Sequence, residues 1–184
     1  MEAPMTRFSI IILAITLPLF LTAGPLHDAA RQGQTAEVRR LLQAGHAINE
    51  PLINGLTALH LAASFNHVET VAFLLASGAN PRETQRQGQT PLHLAAYNGH
   101  IQVMRLLIAK GSHLGLPDKA TKATPLHYAA GQGQLAAVQL LVASGAPVNP
   151  VNSIGMSPLD SALETDQHAV AAWLRQNGGV QLLQ

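Results

Sequence analysis

A four-residue motif returns along this chain at a nearly fixed interval, and that period constrains the fold more than any other feature. It stands as Thr57-Ala58-Leu59-His60, Thr90-Pro91-Leu92-His93, Thr124-Pro125-Leu126-His127 and Ser157-Pro158-Leu159-Asp160, with successive starts 33, 34 and 33 residues apart. Stepping back 33 residues from Thr57 reaches Gly24-Pro25-Leu26-His27, a fifth, N-terminal copy. A unit of this length is one supersecondary element that buries its apolar side only against the next copy.

The remainder of the unit repeats in phase. Alanine pairs follow at Ala29-Ala30, Ala62-Ala63, Ala95-Ala96 and Ala129-Ala130, and a short polar turn comes next. A second apolar stripe then recurs as Val38, Leu41, Leu42; Val71, Leu74, Leu75; Met104, Leu107, Ile108; and Val138, Leu141, Val142. Its i, i+3, i+4 spacing puts these side chains on one face of a helix. Threonine or serine at the motif start suits an N-cap, accepting a hydrogen bond from a first-turn amide. Proline after it suits the first helical position, where its missing N–H is no loss. A glycine ends each unit at Gly45, Gly78, Gly111, Gly145 and Gly178, where a helix C-terminus calls for left-handed backbone. The segments from these glycines to the next motif predict hairpins or loops; Ser112 to Ala123 carries the extra residue of the 34-residue step.

At these residues the chain resembles the ankyrin-repeat family, whose pattern T-P-L-H-x-A-A-x-x-G-H stands nearly intact from Thr90 to His100. The resemblance covers about Gly24 to Gln184. It implies an all-α solenoid of about five stacked helix-turn-helix units with projecting hairpin loops, at about 24–54, 55–87, 88–121, 122–154 and 155–184. The end units depart from the pattern in the direction that capping requires. Asp28 replaces Leu61, Leu94 or Tyr128, and Arg39-Arg40 replace Ala72-Phe73; in the last unit Asp160 replaces the histidine and Arg175 the Leu75-type residue.

Ahead of the repeats, residues 1–23 predict a secretory signal peptide. Phe8 to Leu21 is almost wholly apolar, Pro18 lies near its end, and Leu21-Thr22-Ala23 places a small residue before Gly24. Cleavage is expected after Ala23, since a cut one residue later would put Pro25 directly after the scissile bond. The competing reading is an uncleaved anchor, but a spanning helix wants about 20 apolar residues and this stretch offers about 14 to 16. The expectation is export to the periplasm, or secretion, with the membrane met only through the transient leader.

Composition closes off several function classes. Eleven basic and 10 acidic side chains give a formal net charge of +1, with no reason to expect nucleic acid as ligand. There is no cysteine, hence no disulfide staple and no thiol for lipid attachment. His27, His60, His93 and His127 occupy one repeat position, so neighbours are separated by a helix-packing step of about 8–10 Å. Zinc ligands lie about 2.0–2.1 Å from their ion, so these imidazoles are expected to hold backbone or hydroxyl groups and no metal. Gly131 to Ala136 matches G-x-G-x-x-A, yet it follows a helix where a dinucleotide fingerprint needs a strand. No catalytic constellation is visible, and neither an enzyme nor a cofactor is expected.

The resemblance implies binding of another protein through hairpin tips and the concave face made by the first helices, by a chain expected to be monomeric. Positions that do not repeat are free to carry recognition. The candidate site is an aromatic–aliphatic anchor of Phe65 and Tyr97 with Asn98 beside it, Leu52, Ile53 and Leu56 on the adjoining hairpin, and Arg82 and Arg86 at the rim. The alternative for Phe65 is packing between repeats; for the arginines, and for Lys119 and Lys122, it is a solvated loop. Two roles fit such a module: an adaptor for another exported protein, or an inhibitor or immunity protein neutralising a toxic envelope enzyme.

Overall fold

The computed structural model describes residues 24–183; the expected leader at 1–23 and its cleavage point at Ala23 lie outside the described residues. Ten short helices follow as five pairs: α1 (Pro25–Arg31) with α2 (Thr35–Gln43), α3 (Ala58–Ser64) with α4 (Val68–Ala76), α5 (Pro91–Asn98) with α6 (Ile101–Ala109), α7 (Pro125–Gly131) with α8 (Leu135–Ala143), and α9 (Pro158–Glu164) with α10 (His168–Gln176). Helices of seven to nine residues do not hold alone in water, so tertiary packing supplies their stability. Within each unit the two helices pack together; α1, α3, α5, α7 and α9 form one layer and α2, α4, α6, α8 and α10 the other. The fold is an all-α solenoid.

The repeat-invariant residues are its core. Leu26, Leu59, Leu92, Leu126 and Leu159 are buried along the first layer, and Leu41, Leu74, Leu107, Leu141 and Leu174 along the second. The alanines between them are sealed from solvent, as close helix approach demands. Each unit-ending glycine has a positive φ, as its position required. The turn inside each unit uses the same backbone region at Gly33, Asn66, Gly99, Gly133 and Asp166. Gly99 is fixed there twice over: φ is +70°, and an added Cβ would strike the Gln134 side chain arriving from the next unit.

After each second helix the chain doubles back in a hairpin closed by one backbone bond: Leu52 N–H to Leu56 O, Gln85 to Gln89, Asp118 to Ala123 and Asn152 to Met156. Successive tips are tied in turn. The Arg86 amide donates to Asn54 O and the Lys119 amide to Gln87 O, both at 2.8 Å, and Ser153 donates to Thr121 O. These bonds are too sparse for a sheet, and no strand occurs among the described residues. They make the tips one continuous ridge.

The ends close differently. At the N-terminal unit Arg39 lies over the Phe73 ring, 4.3 Å from its centroid, and Arg40 pairs with Glu37 on the outer surface. At the C-terminal unit the tail from Gly179 folds back onto Asp160, whose carboxylate accepts the Leu182 and Leu183 amides at 3.1–3.2 Å.

Candidate functional site

Each motif histidine is a structural bolt. The Nδ1 atoms of His60, His93 and His127 accept the backbone N–H of Thr57, Thr90 and Thr124 at 3.1–3.2 Å, with the threonine hydroxyl at 2.8–3.0 Å. Threonine and histidine thus pair reciprocally in a capping box. Because Nδ1 accepts, the proton sits on Nε2, which donates to the next hairpin: His60 to Gln89 O and His127 to Met156 O. His27 Nε2 likewise meets Glu50 O. His67 and His100 reach backwards instead, to Arg31 O and Ser64 O of the preceding unit. Burial holds His60 and His93 down to about 4, against the favourable carbonyl of Gln89 in the first case and the distant charge of Asp118 in the second; burial also lowers His127. Among the described residues no group of three or more His, Asp and Glu side chains could hold a metal ion. The Gly131–Ala136 stretch ends α7, turns, and enters α8.

The third unit breaks this rule. Its extra residue is absorbed with Lys122 at φ +58°, and His93 Nε2, facing the Leu116 and Ala123 carbonyls, closes a hydrogen bond to neither. A local network fills the region. Buried Asp118 accepts from the Thr121 amide at 2.6 Å, the Thr121 hydroxyl at 2.7 Å and the Tyr128 hydroxyl at 2.8 Å, while Gln89 donates to the Tyr128 oxygen at 2.7 Å. Burial works to raise the Asp118 carboxyl, but these donors outweigh it and hold the group below its ordinary range. Burial raises the Tyr128 phenol, and Asp118 pushes it the same way. The His93 ring meets Tyr128 edge-on at 5.7 Å, and Tyr97 meets it at 6.2 Å.

A groove of about 420 Å³ opens between the first two hairpins and helices α3 and α5. Leu56, Leu61, Phe65 and Leu94 supply its apolar surface; Asn54, Ser64, Gln85, Gln87 and Gln89 its polar one; Arg86 stands at the edge. No carboxylate lines it. A hollow of about 890 Å³ runs along Ala44–Glu50, but a single chain segment forms it and no second element faces that segment across it.

The structure divides the eight candidate residues. It brings Leu56, Phe65 and Arg86 together in the groove. Ile53 stands at the adjacent tip, 86% exposed, with its carbonyl held by the Arg86 guanidinium at 3.0 Å. Leu52 is half-buried in the stem of that hairpin, where its amide bonds to Leu56 O. Phe65 is 53% exposed and stacks on His67 with centroids 6.4 Å apart, so packing between repeats does not account for it. Tyr97, 44% exposed, stands one unit on against Tyr128. Two candidates are otherwise engaged. Arg82 turns to the end of α6, where its Nε donates to Gly111 O at 2.8 Å, so it is no rim to the groove. Asn98 Nδ2 donates to Leu94 O at 3.0 Å and reaches Ser64 O at 3.4 Å, bracing one helix end against its neighbour. Sequence reasoning missed Leu61 and Leu94 as groove walls, because a leucine directly after the motif reads as core. It also missed the tyrosine–aspartate network, whose only signal is a phenol where Leu61 and Leu94 stand in other units.

Comparison with known families settles the class. A profile of ankyrin repeats (three copies) matches residues 26–118 and again 111–183. The chain belongs to the ankyrin-repeat family. Ankyrin repeats are generally protein–protein interaction modules and typically have no catalytic activity. No curated protein matches the chain.

Proposed function

We propose that this ankyrin chain is an exported, non-catalytic binding module. Its leader directs it to the periplasm or beyond the cell and is removed after Ala23; the monomeric repeat domain then holds another protein against the groove and the ridge of hairpin tips. The observation that carries the reading is Phe65. A large aromatic ring, half exposed beside Leu56, Leu61 and Leu94, contributes little to the stack itself and is the kind of anchor that dominates protein interfaces. The groove's mixed lining supports the same reading, since a polar rim around an apolar centre is how such interfaces are built. For export, the support is the apolar run and small-residue site of residues 1–23.

A photo-crosslinking amino acid placed at Phe65 in the full chain, expressed in its native cell, tests both parts. One discrete protein adduct is expected from position 65 and none from Glu69, which is exposed on α4. Sequencing of the adduct's own chain is expected to begin at Gly24. Equal labelling from both positions would reject the groove, and an N-terminus at Met1 would reject the processed leader.

A further inference from the structure

The charges on the two central hairpins are sorted. Their two carboxylates are each held by neutral donors: Glu83 accepts from the Asn80 amide group at 2.8 Å, and Asp118 is buried under Thr121 and Tyr128. The cations Arg82, Arg86, Lys119 and Lys122 outnumber them. Among the described residues Lys119 and Lys122 make no side-chain bond, and Arg86 makes one, to Ile53 O, which leaves most of its five N–H donors unused. The two ion pairs among the described residues, Arg31 with Asp28 and Arg40 with Glu37, both lie in the first unit. The middle of the ridge is therefore cationic, and it borders a groove that no carboxylate lines.

Spacing adds a second constraint. The amides of Arg86 and Lys119 make the same inter-tip bond, so the two side chains leave equivalent points on consecutive units. Units in a helical stack are separated by about 8–10 Å. An extended polypeptide in polyproline-II geometry advances about 9 Å in three residues and returns to the same face.

Resting on the binding reading above, we infer that the partner presents an acidic, extended segment: two carboxylates three positions apart facing Arg86 and Lys119, with one bulky apolar side chain beside them seated against Phe65. A nucleic acid fits this surface less well. Three cations are few for a phosphate backbone, and Glu164 and Asp166 stand exposed on the C-terminal unit of the same layer.

Panning a random dodecapeptide display library on the immobilised purified protein tests this without knowing the partner. The expected consensus is acidic-x-x-acidic with an adjoining Phe, Leu or Trp. A labelled peptide of that consensus should bind at least tenfold more weakly to the Arg86→Glu/Lys119→Glu double variant, weaken with added salt, and weaken on Phe65→Ala. All three positions are exposed on hairpin tips or a helix end, and melting by circular dichroism confirms that each variant is folded. A consensus without acids, or one whose binding survives the double charge reversal, overturns the inference; if that consensus is still lost on Phe65→Ala, the groove remains the binding site and only its charge preference is wrong. Absence of any enrichment, or indifference to all three substitutions, overturns both. Binding of a 12-nucleotide oligouridylate as tightly as the best peptide also overturns it, in favour of nucleic acid.

Discussion

A histidine that both accepts through Nδ1 and donates through Nε2 is useful only while neutral, and burial enforces that state. Protonating His60 would put a second donor against the Thr57 amide and leave a charge in the core. The sign of the pH effect follows. In the folded chain the affinity of His60 and His93 for a proton is held down to about 4, below the ordinary 6.5, so the unfolded chain protonates first. Their stabilisation is whole above about pH 6.5 and is lost as pH falls towards 4, at about 3 kcal/mol for each ring. Urea midpoints are expected to be flat from pH 8 to 7 and to drop steeply from 6.5 to 4; a midpoint unchanged at pH 4.5 would show that these rings are not buried neutral. The two histidines also differ. His60 closes a bond to Gln89 O, whereas His93 Nε2 faces the Leu116 and Ala123 carbonyls without closing one, so His60→Ala is expected to cost about 1 kcal/mol more than His93→Ala. Equal losses in urea denaturation would remove the distinction.

Between helices, the bonding direction of the motif changes with position in the stack. The second and fourth units end their motif with a donor aimed at the carbonyl of the next hairpin. The fifth unit ends it with Asp160, which keeps the inward half of the box by accepting from the Ser157 amide at 2.8 Å and turns an acceptor towards the amides of the tail. Burial would raise this carboxyl, but the bonds from Ser157, Leu182 and Leu183 prevail and hold it low. Restoring the family residue by Asp160→His would set a donor against donors. The expected loss is about 2 kcal/mol, seen as faster amide exchange in Leu182, Leu183 and α10, while α3 to α6 keep their protection. Slower exchange in the tail would refute this account of the cap. At this scale the sequence was readable wherever a residue's role repeats: motif, alanine pair, apolar stripe and terminal glycine each recur every 33 or 34 residues, and each does one local job. It was unreadable where a side chain chooses between partners in different units. Arg82 and Arg86 are chemically identical and four residues apart, yet one reaches back to Ile53 O and the other forward to Gly111 O, and only the three-dimensional offset of neighbouring units decides which. The same limit hid the departure at the third hairpin, where the extra residue lies and His93 Nε2 closes no bond of the kind His60 and His127 make.

Across the whole molecule each unit touches only its neighbours, so stability is a sum of unit and interface contributions rather than the property of one central core. The groove and the cationic middle of the ridge belong to the first three hairpins and the helices beside them, whereas the exposed apolar tail, Val180, Leu182 and Leu183, belongs to the last unit. Binding should therefore be separable from the integrity of the C-terminal end. Leu107 in α6 and Leu174 in α10 are equivalent residues, both sealed from solvent, and truncating either leaves the same cavity. In a single-core protein the two losses would match, at about 2–5 kcal/mol. Here Leu107 has units on both sides and Leu174 has one. Leu107→Ala is expected to lower the transition of the entire chain and weaken partner capture. Leu174→Ala should release α9 and α10 in a separate, earlier transition while leaving crosslinking from position 65 intact. Hydrogen exchange resolved by helix distinguishes the two cases. A single cooperative transition in both variants, with equal loss of capture, would mean that the ends and the groove unfold together and that the nearest-neighbour description fails for this stack.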